Sequence, residues 1–177
     1  MLAGMLASSS AKAEAMTGFT TLSLDLGSTF GFAVGVDGVI VRSGEVGLSA
    51  KDSHPGRRWL KFQEWLYEFH NVNEILYEEV QAFRSSDASM CYGALRSHVQ
   101  VFSLVHRIRI GTLTPGQIKG DFTGNGNAKK EVLCDVAMNL GWKNGVRGTR
   151  EFNNECDAIA LLWCVYSRRG VQPSFLK

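Results

Sequence analysis

From Thr20 the chain reads TTLSLDLGSTFGFAVGVDGVIVRSGEVGL, residues 20–48, and this stretch decides the fold. Its apolar residues alternate or cluster in short runs, broken at Gly27, Gly31, Gly35, Asp37-Gly38 and Gly44. Alternation with period two marks strands, and Asp-Gly between two such runs is a strong hairpin signal, so the stretch predicts three antiparallel strands joined by tight turns. Working outward, residues 57–70 (RRWLKFQEWLYEFH) carry Trp59, Leu60, Phe62, Trp65, Leu66 and Phe69 at helical spacing. A short strand, Ile75-Leu76-Tyr77-Glu78, follows. Residues 85–110 form the longest helical pattern, with Ser86 or Asp87 as caps. Residues 111–117 predict a strand ending at Pro115-Gly116, and residues 120–128 (GDFTGNGNA) a loop running into a helix over 129–140. A second loop spans 143–152 and a final helix 154–168. The order β-β-β-α-β-α-β-α-α implies a mixed α/β sheet with helices on both faces.

Composition sets the outer limits. The chain has 177 residues, 45% hydrophobic and 20% charged, which suits a single domain with a substantial core. No apolar run reaches the roughly 20 residues of a membrane-spanning helix, so no membrane partner is expected. Residues 1–17 are small and polar and lack the basic start and apolar core of a secretory signal, predicting a disordered extension ahead of a domain over 18–177. Cys91, Cys134, Cys156 and Cys164 show no metal-binding spacing and suit thiols in a reducing, cytoplasmic setting, in a bacterial or phage-type host cell or an organelle matrix. The net charge is +2, but residues 1–79 balance at −4 and residues 80–177 at +6. A polyanion-binding surface on the C-terminal half would produce such an asymmetry, as would ordinary scatter over a solvated surface.

A few acids fall where burial is expected. Asp25 sits within an apolar strand, Glu78 and Glu79 end another, and Asp157 precedes Ala158-Ile159-Ala160-Leu161-Leu162 in the last helix. Singly, Asp25 reads as a turn former, Glu79 as a surface residue and Asp157 as a helix-start charge. Unpaired buried carboxylates are costly. Three of them, from separate elements able to converge at strand ends, are better explained by shared divalent cations, with hard oxygen ligands suiting Mg²⁺ or Mn²⁺.

Leu24-Asp25-Leu26-Gly27-Ser28, Tyr77-Glu78-Glu79-Val80, Gln117-Ile118-Lys119, Ala128-Lys129-Lys130 and Cys156-Asp157-Ala158-Ile159-Ala160 occur in an order that resembles the RuvC-type Holliday-junction resolvases of the RNase H-like superfamily. The resemblance spans about residues 20–168 and rests on the ordered set of motifs. It implies a five-stranded mixed sheet whose first three strands are antiparallel, a homodimer, two Mg²⁺ (or Mn²⁺) ions per active site, and symmetric nicking of four-way DNA junctions or other branched DNA. Asp25 then corresponds to the central acid bridging both metals, Glu78 to the second acid with Glu79 as its neighbouring alternative, and Asp157 to the final acid. Lys119 and Lys130 correspond to lysines of the catalytic region. The chain departs from the pattern at Asn154, where an Asp or His is usual; one helical turn before Asp157, it can share the metal face as a weaker, neutral ligand.

DNA contacts are expected from Phe83, which either stacks on an unpaired base or packs under the next helix, and from Arg84, Lys129, Lys143, Arg147 and Arg150 on phosphates. His98 and His106 read as surface or interface residues, and Met90, Tyr92 and Phe102 as suited to a two-fold interface. Two other readings stand beside the resolvase. One is another RNase H-like nuclease, acting on branched DNA or RNA–DNA hybrids; the other is a non-catalytic junction-binding module. Asp25-Leu26-Gly27-Ser28-Thr29 also resembles the phosphate motif of sugar kinases and Hsp70-like ATPases, which need two such domains and hence a longer chain.

Overall fold

The computed structural model describes residues 18–48, 54–83, 85–143 and 153–176. In chain order the elements are β1 (Thr20–Asp25), β2 (Thr29–Val36), β3 (Val39–Gly47), α1 (Arg57–Tyr67), β4 (Glu74–Glu78), α2 (Ser86–His106), β5 (Arg109–Leu113), α3 (Pro115–Thr123), α4 (Lys130–Asn139), α5 (Asn153–Arg168) and β6 (Ser174–Phe175). They form one sheet in the order β5-β4-β1-β2-β3-β6. The β1–β2 and β2–β3 pairs are antiparallel, and β4 and β5 join in parallel. The expected hairpin turn is present, with Asp37 and Gly38 both at positive φ.

Alternation along the strands divides the core in two. Leu22, Leu24, Phe30, Phe32 and Val34 face α1 and α2, where Phe62, Trp65, Leu95 and Val99 complete one cluster. On the other face Ala33 and Leu76 meet α3, α4 and α5 through Ile118, Leu133 and Ile159. The helix α5 lies close against β2 because that strand offers it only small side chains. A Cβ on Gly31 would sit 1.8 Å from the Asn154 carbonyl oxygen, and one on Gly35 would sit 2.4 Å from the Tyr166 hydroxyl. The buried Ser23 hydroxyl fastens β1 to the same helix by donating to the Ala158 carbonyl at 2.8 Å.

Three local expectations are corrected. Residues 115–123 form α3 rather than a strand end and loop: Thr114 caps it in a reciprocal capping box with Gln117, and Pro115 occupies its first turn. The long helix is capped by Ser85, whose hydroxyl accepts from the Ala88 N–H, and it stops at His106, where Arg107 turns left-handed. A sixth, two-residue strand adds to the expected five by pairing with β3. No described helix is long and apolar enough to cross a membrane. Cys91, Cys156 and Cys164 are buried, Cys134 is half-buried, and none is in a disulfide.

Candidate active site

The parallel register of β1 on β4 pairs Leu24 with Tyr77, so the next step sets Asp25 beside Glu78 at the strand ends. Both side chains follow the alternation toward the α5 face, as Ser23 and Leu76 do. The antiparallel neighbours align Asp25 with Gly31, and Gly31 with Glu45. Over Gly31, where no side chain intervenes, the first turn of α5 comes down with the Asn154 carbonyl against the strand, and Asp157 lies near enough to Asp25 and Glu78 to repel both. Glu45 accepts from the backbone N–H groups of Asn154 (2.9 Å) and Glu155 (3.3 Å), so this carboxylate caps α5 from across the sheet.

The electrostatics report that the acids converge. Burial pushes Asp25 well above the ordinary carboxylate range, and Asp157, Glu78 and Glu45 push it further, against the pull of Lys130. Glu78 is raised from 4.5 to about 7, by burial first and then Asp157, while Lys130 and Lys119 oppose the rise. Burial raises Asp157 as well, and Lys130 and Lys119 offset part of this. Lys130 donates to Asp157 Oδ2 at 2.6 Å with 48% of its side chain still in solvent. Burial works against its charge, but the three acids outweigh it and hold the ammonium above its usual value.

The cluster is thus short of positive charge, which is the chemistry of a cation site. Among the described residues no three His, Cys, Asp or Glu side chains are grouped closely enough to hold an ion as they stand. The donor set fits a hard divalent cation in kind: carboxylate oxygens of Asp25, Glu78 and Asp157, with the Asn154 amide one turn from Asp157.

Glu78 rather than its neighbour belongs to this cluster. Glu79 alternates to another side, accepting from the Thr112 hydroxyl at 3.2 Å and lying 4.0 Å from Arg96. Tyr92, expected at an interface, is instead buried and braces the site: its hydroxyl donates to the Glu78 carbonyl at 2.8 Å. Its spacing from Ala88 and Leu95 on a helix did not reveal this. Glu155 points away from the acids and is buried, accepting from Ser43 Oγ (2.6 Å) and Trp142 Nε1 (2.9 Å).

Phe83 is 36% exposed and rests one side on Tyr92, with ring centroids 5.2 Å apart, so it both packs on α2 and offers a face to solvent. It overlooks a groove of about 590 Å³, also lined by Leu26, Ser28, Arg58, Val80 and Asn154. Lys129 is exposed at the N-cap of α4. Lys143 lines a separate groove with Arg42 and Phe175 at the β3–β6 edge. Arg84, Arg147 and Arg150 lie outside the described residues. His98 on α2 is hydrogen-bonded to Gln63 on α1 at 3.0 Å, and His106 meets Tyr67 and His70 edge-on and Phe102 at a tilt.

No protein-family profile matches this sequence, and no curated protein matches it. Solved structures are. The Thermus thermophilus RuvC in complex with a Holliday-junction substrate superposes with a TM-score of 0.66 at 21% identity, covering 86% of this chain and 96% of that one. This chain has the fold of the RuvC-type resolvases. The yeast mitochondrial Holliday-junction resolvase Ydc2 is similar with a TM-score of 0.63 at 15% identity, over 86% of this chain and 80% of that one. The fowlpox virus Holliday-junction resolvase gives 0.58 at 11%, over 84% and 99%. The likeness covers 84–86% of this chain, in line with the mixed sheet and antiparallel opening strands read from the sequence.

Proposed function

We propose that the protein is a Holliday-junction resolvase, a metal-dependent endonuclease that nicks four-way DNA junctions symmetrically in recombination, repair or DNA processing. One observation carries the reading: Asp25, Glu78 and Asp157, half-buried and from three separate elements, lie near enough together that their charged forms repel one another. The RuvC-type fold agrees with it. Asp25, Glu78 and Asp157, with Asn154 as a neutral contributor, would hold two Mg²⁺ or Mn²⁺ ions. Such ions supply activation of a water and stabilisation of the leaving oxygen in phosphodiester hydrolysis.

The chain's own residues do the remaining work. The carboxylates keep the site unattractive to a bare phosphate until cations are present. Lys130 and Lys119, electrostatically coupled to the acids, would offset negative charge developing on the scissile phosphate. Lys129, Lys143, Arg84, Arg147 and Arg150 would contact phosphates along the arms, positioning the junction without reading sequence. The open face of Phe83 would stack on a base at the branch point. A homodimer would set two such sites against the two opposed strands. Along α2, Met90, Val101, Leu104 and Val105 stay exposed, and this apolar stripe supports the dimer in place of Tyr92 and the half-buried Phe102.

The test is a synthetic mobile four-way junction incubated with Mg²⁺ or Mn²⁺, run beside duplex, flap and RNA–DNA hybrid. Paired nicked duplexes from the junction alone are expected. Asp25→Asn should abolish cutting and leave binding intact; cutting that survives the substitution removes the assignment. The neutral Asn154 favours one second reading, a junction-binding module without full metal affinity. That reading expects an inert wild type that Asn154→Asp makes active.

A further inference from the structure

Two cysteines from different helices meet one residue away from an acid of the site. Cys134 lies on α4 and Cys156 on α5, and Cys134 packs against the cluster that holds Cys156, Leu133 and Ile159. Their thiols are hydrogen-bonded to each other. Cys156 is fully buried, whereas Cys134 is half-buried, so solvent reaches the pair from the Cys134 side. The other two cysteines are placed differently. Cys164 donates to the Ile118 carbonyl at 3.5 Å, and Cys91 lies in the opposite core cluster.

The pair is tied to the acid cluster on both of its helices. Asp157 directly follows Cys156, and Lys130 stands one helical turn before Cys134 on the same face of α4. Lys130 closes the arrangement by donating to Asp157 Oδ2 at 2.6 Å. A thiol pair and an ion pair therefore both link α4 to α5. The ammonium occupies a carboxylate oxygen that a divalent cation would need, so an ion entering there has to displace it. The first turn of α5 already rests on Gly31, where even a Cβ finds no room, which leaves α4 as the side that yields.

We propose that Cys134 and Cys156 are a peroxide-sensitive dithiol whose oxidation to a disulfide locks α4 onto α5 and closes the acid cluster to divalent cations. The dithiol stands on the two thiols alone; its consequence for cations rests on the resolvase reading. The oxidant is a peroxide. The Cys134 sulfur attacks one peroxide oxygen, the O–O bond breaks, and the departing hydroxide leaves as water with the thiol proton, making Cys134 a sulfenic acid. The Cys156 sulfur then attacks the Cys134 sulfur, the S–O bond breaks, and the hydroxyl leaves as a second water with the Cys156 proton. Two thiols have lost two electrons and the peroxide has gained them. A covalent S–S bond is much shorter than a hydrogen bond between thiols, so α4 is drawn toward α5 and Lys130 is held on Asp157. In a reducing compartment thiol exchange restores the dithiol and reopens the site.

The experiment treats the full chain with hydrogen peroxide and follows peptide mass, Mn²⁺ binding and junction cutting. Peptide mass under non-reducing conditions is expected to show Cys134 joined to Cys156 with the loss of two hydrogens. Mn²⁺ should raise the melting temperature of the reduced protein. The oxidised protein should need roughly tenfold more of the ion for the same rise, the scale of loss when groups supporting metal ligands are disturbed. Cutting should fall in parallel and return with dithiothreitol. Cys134→Ser should respond to Mn²⁺ as the reduced wild type does and ignore peroxide; Cys134→Ala serves in its place should the serine variant fail to fold. Peroxide that leaves both thiols unpaired overturns the dithiol and leaves the resolvase reading standing. A Cys134–Cys156 bond that changes neither the Mn²⁺ response nor cutting overturns the lock, as does a peroxide effect that persists in the Cys134 variants. A reduced wild type that neither binds Mn²⁺ nor cuts removes the resolvase reading and the closure to cations with it, while the peptide mass still decides the dithiol.

Discussion

Gly31 shows how far a single residue can govern a site it does not belong to chemically. Because a Cβ there would stand 1.8 Å from the Asn154 carbonyl oxygen, Gly31→Ala must push the first turn of α5, and Asp157 with it, off the sheet. We expect a loss of about 1–3 kcal/mol in urea unfolding, and a fall in junction cutting much larger than the loss of folded protein. The acids themselves have a pH signature. A carboxyl group raised in the folded state binds its proton more tightly there than in the unfolded chain, so stability falls as pH rises between the two values. Glu78, raised from 4.5 to about 7, sets the window, and Asp25 shifts in the same direction. The metal-free protein should therefore melt at its highest temperature near pH 5 and lose stability up to about pH 7–8, by on the order of 3 kcal/mol for Glu78 alone. Mn²⁺ should restore the melting temperature at pH 8 and do little at pH 5. Equal stabilisation at both values would separate ion binding from these acids.

At the scale of elements, capping sets where the functional helices begin. The N-terminus of α5 receives its acceptor from Glu45 on β3, a carboxylate more than a hundred residues away in the chain. Glu45→Ala leaves two helix N–H groups without that partner and should cost about 1–2 kcal/mol in chemical denaturation. Because Glu45 also raises Asp25, its loss should shift the pH dependence of stability as well as its height. Loss of stability with no change in the pH profile would mean the cap is mechanical only. The helix α3 makes the local counterpart. Its signal, Thr114-Pro115 followed by Gln117, stands in the sequence, but Gly116 and Gly120 obscure the helical pattern. Packing of Ile118 and Phe122 against α5 outweighs the weak propensity and places Lys119 near Glu78 and Asp157.

For the whole molecule, the unfilled surface is as informative as the core. The helix α2 gives one side to the sheet and leaves Leu104 at 80% exposure with Val101 and Val105 beside it, a patch that a lone chain gains nothing by presenting to water. Leu104→Glu should convert a dimer into a monomer in sedimentation, and paired nicking into uncoordinated single nicks, with each subunit still folded. A wild type that is monomeric at micromolar concentration would count against the two-site arrangement.

The sequence alone determined the antiparallel opening strands, the turn at Asp37-Gly38, the apolar faces of α1 and α2 and the candidate acids, because period-two and helical patterns and isolated charges in apolar runs are local properties. It also contained the cue for Glu78 over Glu79, since Leu76 and Glu78 share a strand face. Only the tertiary structure decided that Tyr92 braces Glu78, that Glu45 caps α5, and that a glycine track lets that helix reach the acids. Those relations hold between residues distant in the chain. They depend on which strands lie side by side and how closely a helix can approach them, quantities that no local pattern encodes.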